Sequence, residues 1–319
     1  MSAADPAPAS GRAAAALVFN AFVWGTSWWP LRRLQEAGLH PLWTTAIVFS
    51  LASIAIVAAR PRAIAQVLRT PALWLLVAAA GLTNASFNWA IVIGDVVRVV
   101  LLFYLMPIWT VLLARVLVGE RLTRAAALRV ALGALGAAIV LWPAADASAA
   151  APGWPALVPL PRSLADWLGV AGGFSFAFNN VLLRREAARP EEGRSLAMFL
   201  GGAIVAGVLA MLLTAGGSIA APPPPAWPWL RLTLALTVVF LAGNLSLQYG
   251  AARLAANRTA VVMLTEVVFA SLSAIALGAG ALTLRSAVGG AFIVASAVLA
   301  ARGPARRYHG RDGALPRTP

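Results

Sequence analysis

The chain has 319 residues, of which 61% are hydrophobic and only 11% are charged, and its formal net charge is +14. This composition excludes an ordinary soluble protein, because soluble domains of usual size cannot bury so much apolar surface. The chain also has no cysteine, which excludes disulfide bonds, thiolate metal sites and cysteine nucleophiles.

The sequence predicts ten membrane-spanning helices, because ten apolar stretches approach the roughly 20 residues that such a helix needs. Two proline-rich segments, residues 143–163 and 222–228, cannot continue a helix and are predicted to be loops. In chain order, the predicted spans are residues 13–31, 42–59, 72–93, 97–118, 124–142, 164–183, 196–214, 230–250, 257–278 and 284–302.

The arginines are distributed unequally between the two sides of the predicted membrane. Every basic residue is Arg, and nineteen of the 25 lie on the side of the N terminus while six lie on the other side. The side richer in arginine is normally the cytoplasmic side. We therefore expect both termini to be cytoplasmic, and the positive charge reflects topology rather than binding to nucleic acid.

Motifs in the first five spans recur in the same order in the last five. Residues 24–27 align with residues 176–179, and Asn88 aligns with Asn244. An odd number of spans in each repeat gives the two repeats opposite orientations. The sequence therefore predicts an all-α integral membrane protein with ten transmembrane helices in two inverted five-helix repeats. The expected segments are a cytoplasmic tail (1–12), repeat 1 (13–142), an extracytoplasmic linker (143–163), repeat 2 (164–302) and a second cytoplasmic tail (303–319).

The fourth span contains the run Leu102-Phe103-Tyr104-Leu105-Met106-Pro107, which is followed by Gly119-Glu120-Arg121-Leu122-Thr123. This pattern resembles the fourth span of an EamA repeat, and Trp24-Gly25-Thr26-Ser27 resembles the opening of the first span. The resemblance covers both halves and implies the drug/metabolite transporter (DMT) superfamily, with a central cavity between inverted repeats. In repeat 2, Glu266-Val267 replaces Met106-Pro107, which puts in doubt any mechanism that requires symmetrical proline kinks.

Glu266 is the only acidic residue near the middle of a predicted span. A carboxylate at this depth costs about 3 kcal/mol on insertion scales, so such a residue normally faces protein or water and often serves transport. Burial favours the protonated form of a carboxyl group, which makes Glu266 a candidate for proton coupling. A structural glutamate that holds two helices together is an equally good interpretation.

Polar side chains one turn apart on spans three and eight indicate two faces that avoid lipid. The resemblance places these spans at the centre, which favours a substrate cavity over hydrogen bonds between helices.

Pro107 is a candidate hinge, although a static kink would fit equally well. Asp95 and Arg98 are expected to pair near the extracytoplasmic mouth, where a solvated ion pair is favoured over a gate. The candidate cavity residues are Asn20, Trp24, Ser27, Asn84, Asn88, Tyr104, Trp109, Asn179, Asn244 and Gln248.

These features predict a secondary active transporter, more specifically an exporter, in a bacterial inner membrane. The expected substrates are small organic metabolites such as amino acids or amphipathic compounds, moved by alternating access, with the proton as candidate coupling ion. No cofactor or metal site is expected, and the oligomeric state is left open. A membrane-embedded enzyme or a non-transporting sensor or partner are the alternatives. The spans lack the clustered acids and histidines of an enzyme, and the loops leave no room for a signalling domain.

Overall fold

The structure is a computed structural model that describes residues 7–118, 123–142, 159–186, 189–251, 253–254 and 256–302, and these residues form fourteen α-helices and no strands. In the first half the helices are α1 (Ala7–Thr26), α2 (Trp28–Glu36), α3 (Pro41–Ala59), α4 (Arg62–Arg69), α5 (Pro71–Ile93), α6 (Val96–Phe103), α7 (Met106–Val118) and α8 (Arg124–Leu141). In the second half they are α9 (Leu164–Arg185), α10 (Glu191–Ala215), α11 (Trp227–Ala251), α12 (Ala256–Met263), α13 (Thr265–Ala276) and α14 (Leu284–Arg302).

Within the residues that the structure describes, six helical stretches are long and apolar enough to cross a membrane, judged by length and composition. Two shorter apolar stretches, Val261–Ala276 and Leu284–Leu299, accompany them. The prediction of an all-α membrane protein is therefore confirmed, whereas the count of ten spans stays a prediction. The six stretches are Pro41–Ala59, Pro71–Ile93, Val96–Leu113, Arg124–Leu141, Glu191–Ala215 and Trp227–Ala251.

The first helix begins earlier than the sequence predicts. It starts at Ala7 instead of residue 13, and Pro8 lies in its first turn, where a proline does not remove a helical hydrogen bond. A helix was also not expected at α4, which buries Ala63 and Val67 and packs against α10. Residues 1–6, most of the linker and the whole C-terminal tail lie outside the described residues.

The packing of the helices follows the predicted duplication. α1 packs against α11, α12 and α13, and its counterpart α9 packs against the corresponding helices α5, α6 and α7. Two aligned aromatic pairs have nearly the same geometry. The rings of Phe22 and Phe269 are 5.4 Å apart at 90°, and those of Phe174 and Trp109 are 5.5 Å apart at 85°. This agreement supports a common origin of the two halves.

Glycines bring α5 and α10 into backbone contact. A Cβ atom on Gly201 would overlap the carbonyl oxygen of Val77, and one on Gly81 would overlap that of Gly201. Without glycine at these positions the two helices could not approach so closely, and small residues favour this kind of packing in membranes. The contact joins a helix of the first half to one of the second.

We expect Gly201→Ala to lower the free energy of unfolding by about 1–3 kcal/mol, because the added methyl group must push α5 away from α10. Gly207→Ala on the same helix is the matched control. Its Cβ would lie 3.6 Å from that of Ala46, an ordinary contact. Thermal unfolding in detergent measures both variants, and equal midpoints for the two would contradict the close contact.

Candidate functional site

The fourth predicted span is broken in front of Pro107. This residue has no N–H to donate to the carbonyl of Phe103, so α6 ends at Phe103 and α7 begins at Met106. Shorter-range bonds cross the gap, from Leu105 N to Leu102 O (3.2 Å) and from Ile108 N to Leu105 O (2.9 Å). The predicted hinge residue therefore lies at a real interruption of the helix, and its mobility stays a prediction.

The ninth predicted span is broken at Leu264, which aligns with Tyr104, although no proline is present. The hydroxyl of Thr265 donates to the carbonyl of Val262 (2.7 Å), and Val267 N bonds to Leu264 O (3.1 Å). Side-chain hydroxyls can satisfy backbone groups that such an interruption frees. The two spans are thus broken at aligned positions, although only the fourth span has a proline there.

A tyrosine and a glutamate join the two breaks. The hydroxyl of Tyr104 lies 3.0 Å from Oε2 of Glu266 and 3.2 Å from the carbonyl oxygen of Met263. Both side chains are buried, with 2% of Tyr104 and 8% of Glu266 exposed. No ion pair to Glu266 occurs within the described ranges. The carboxyl group therefore meets a neutral hydroxyl donor here.

Asn20 of α1 lies next to this contact. Its Nδ2 atom is 3.5 Å from the sulfur of Met263, and the residue is fully buried. Its Oδ1 atom has no hydrogen-bond partner in the structure and points towards Gly243 of α11. An unpaired buried acceptor costs about 1–3 kcal/mol, so Asn20 has an acceptor available for a water or a substrate.

Trp24 and Ser27, which follow Asn20 along the chain, face different surroundings. Trp24 stacks on Phe240 with the ring centroids 4.6 Å apart. The hydroxyl of Ser27 donates to the carbonyl of Trp24 (2.8 Å). Ser27 also borders a mostly apolar groove of about 370 Å³ between α1, α2, α11 and α13.

The polar stripes on α5 and α11 bond to different helices. Asn88 donates to Thr45 of α3 (3.1 Å), while Asn84 bonds to a carbonyl of its own helix. Gln248 donates to Asn244 (2.6 Å) and to Ser195 of α10 (2.5 Å). No hydrogen bond joins the two stripes in the part of the chain that the structure describes. Their arrangement here matches the alternative interpretation, hydrogen bonding between helices.

Trp109 and Asn179 each keep one unpaired polar atom. The Nε1 atom of Trp109 and the Oδ1 atom of Asn179 are buried without a hydrogen-bond partner in the structure, and so is Oδ1 of Asn88. The rings of Trp109 and of Phe174 on α9 pack in a T-shaped arrangement. Together with Asn20, these candidate residues hold polar atoms that protein groups leave unsatisfied.

A polar cluster, of which only Asp95 and Arg98 were expected from the sequence, joins both halves at one end of the bundle. Arg98 binds Asp166 of α9 through two hydrogen bonds (2.7 and 3.0 Å) and donates to the carbonyl of Val140 (2.6 Å). Asp95 accepts bonds from the backbone N–H groups of Arg98 (2.8 Å) and Ala281 (3.0 Å). We call these five residues the clamp.

The prediction of an ion pair between Asp95 and Arg98 is wrong, because the side chain of Arg98 pairs with Asp166 instead. Asp95 caps the N terminus of α6, a role for which aspartate is well suited. The guanidinium of Arg98 is thereby left for Asp166, an acid in the first turn of α9. Asp166 is visible in the sequence as an acid near the start of a predicted span. Because it lies 68 positions from Arg98, the sequence alone did not indicate that the two residues pair.

Long apolar helices and two broken spans define a multi-pass helical membrane protein. Residues 11–142 match the model of the EamA-like transporter family. The match covers the first predicted repeat, and the family is a transporter family of the DMT superfamily. The resemblance given by the fourth span is thus confirmed, although residues 119–122 of that motif lie outside the described residues.

A solved structure described only as "Crystal structure of protein" is similar along nearly the whole chain. It has 17% sequence identity and a TM-score of 0.54, and the match covers 93% of this chain and 96% of that one. At this identity the likeness shows the fold alone, and it extends over both halves. No curated protein matches the chain.

We expect Asp166→Asn to lower the free energy of unfolding by about 1–3 kcal/mol, between the effects of exposed and fully buried ion pairs. The side chains of Arg98 and Asp166 are 31% and 5% exposed, whereas the control pair Arg33 and Glu36 is 56% and 61% exposed. Arg33→Gln should therefore change little. Thermal unfolding of the single variants and of the double variant Arg98→Gln/Asp166→Asn measures the coupling. Additive losses would show that the two side chains do not act together.

Proposed function

We propose that the protein is a secondary active exporter of small organic metabolites, such as amino acids or amphipathic compounds, in a bacterial inner membrane. The contact of Tyr104 with Glu266 and Met263 carries this proposal, because it lies where two broken helices of opposite halves meet. Interrupted helices at the interface of inverted repeats are typical of secondary transporters, and substrate and coupling ions bind there.

Alternating access would use the clamp as a gate. The arginine distribution supports an extracytoplasmic position of the clamp, with both termini in the cytoplasm. Arg98 and Asp95 connect α6 with α8, α9 and the segment before α14. These bonds would have to separate before the cavity opened outwards. The structure therefore supports a conformation that is closed on that side.

The substrate cavity would form around the candidate residues with unpaired polar atoms. Asn20, Asn88, Trp109 and Asn179 each bury one such atom. Leaving these atoms without partners is costly, and water or a polar substrate would satisfy them when the halves separate. The remaining candidates, Trp24, Ser27, Asn84, Asn244 and Gln248, would line the cavity only after their present bonds had changed.

Glu266 would carry the coupling proton. It is buried at the break of the ninth span, where a side chain that accepts and releases a proton can respond to the conformation of the helix. A charged carboxylate without a cationic partner is unfavourable there, so uptake of a proton would accompany closure of the cavity.

We expect Glu266→Gln to abolish uptake or efflux driven by a pH gradient in proteoliposomes, because the amide cannot exchange a proton. Counterflow of the same substrate, which needs no net proton movement, should persist in this variant. A panel of metabolites identifies the substrate with the unchanged protein. Glu36→Gln, at the exposed pair with Arg33, is the control and should transport normally. Proton-coupled transport by Glu266→Gln at the unchanged rate would remove Glu266 from the mechanism.

A further inference from the structure

The hydroxyl of Tyr104 lies between two acceptors that belong to different parts of the proposed mechanism. One is the carboxyl group of Glu266, at 3.0 Å, and the other is the backbone carbonyl of Met263, at 3.2 Å. A phenol has a single proton to donate. At any moment, therefore, Tyr104 can make a full hydrogen bond to only one of these two acceptors.

The Met263 carbonyl depends on this donor because of the helix break. In a continuous helix the N–H of Val267 would bond to Met263 O, since these residues are four positions apart. Here Val267 N bonds to Leu264 O instead (3.1 Å). Met263 O is thus freed by the break, and Tyr104 is the donor that replaces the lost helical bond.

We propose that Tyr104 is a positioning residue that transmits the protonation state of Glu266 to the break of the ninth span. When Glu266 is ionised, Tyr104 donates to the carboxylate and Met263 O loses its donor. When Glu266 takes up a proton, its O–H donates to the Tyr104 oxygen, and the Tyr104 proton is free for Met263 O. One proton is gained or lost by Glu266, and Tyr104 keeps its own throughout.

The consequence is that protonation stabilises the broken form of the span. With Glu266 ionised, closing the gap into a regular helix would give Met263 O a new donor in Val267 N. With Glu266 protonated, the broken form keeps all of these groups satisfied. Gly25 of α1 packs on the carbonyl of Glu266, where a Cβ atom would lie 2.8 Å away, so a change at the break would be transmitted to α1.

The helices packed around Glu266 carry few other charged or titratable side chains. The helices packed on α12 and α13 are α1, α6, α11 and α14. Among the described residues, Tyr104 is the titratable side chain that contacts Glu266. Arg98 of α6 is bound to Asp166. Together, α12 and these four helices carry the following charged or titratable residues: Arg12, Arg98, Arg231, Tyr249, Arg258, Arg285 and Arg302.

This inference rests on the proposed role of Glu266 in proton coupling, but it is tested without substrate. The chain has no cysteine, so two nitroxide labels can be attached at introduced cysteines on either side of the break. Val261→Cys and Leu272→Cys are suitable because these side chains are 44% and 62% exposed. Electron paramagnetic resonance then reports the distance between the labels in lipid nanodiscs at acidic and alkaline pH.

We expect the label distance to shift between acidic and alkaline pH in the otherwise unchanged protein. Glu266→Gln should show the acidic distance at both, because its amide donates to Tyr104 as a protonated carboxyl group does. Tyr104→Phe, which keeps the ring, should lose the shift. Tyr249→Phe, at an exposed tyrosine of α11, should keep the shift and is the matched control.

Two results would overturn the inference. A full shift in Tyr104→Phe would show that the hydroxyl does not transmit the protonation state. No shift in the unchanged protein, together with proton-coupled transport in proteoliposomes, would place the effect of the proton elsewhere and leave the proposed function intact. If the shift occurs as expected but no metabolite is transported, the proposed function fails while the hydrogen-bond exchange stands.

Discussion

The structure depends on one constraint, which is that an interrupted helix in a membrane must find partners for its freed backbone groups inside the protein. Both interruptions occur where the helices are buried by the opposite half. Pro107 removes a donor in one span, and Thr265 and Tyr104 supply donors in the other. The backbone groups freed by the two breaks thereby lie near the contact of Tyr104 with Met263 and Glu266.

The sequence predicts the break in front of Pro107, but it does not predict that Tyr104 pairs with Glu266. Pro107 is a local signal, so an interruption before it could be expected. The break at Leu264 has no local signal of comparable strength, because one of its donors comes from Tyr104, 159 positions before the Met263 carbonyl that accepts the bond. Glu266 stood out as an acid in an apolar stretch, but its partner could be identified only from the packing of the halves.

The clamp shows a different limit of sequence reasoning. Asp95 lies three residues from Arg98, so a local ion pair was the simplest expectation, yet capping of α6 occupies that carboxylate. Backbone contacts such as Gly81 with Gly201 hold α5 and α10 at fixed separation, whereas the polar bonds of the clamp can be exchanged for bonds to water. The interface of the two halves thus combines a close backbone contact with a set of polar bonds.

The central claim, that the two halves open and close at the clamp, is tested most directly by a distance across that end of the bundle. Spin labels at Ile93→Cys and Leu277→Cys would serve, because these side chains are 41% and 59% exposed and lie at the ends of α5 and α13. Double electron–electron resonance in nanodiscs should resolve a short and a long distance whose proportions change when the transported metabolite is added. A single distance, unchanged by that metabolite and by pH, would contradict the account.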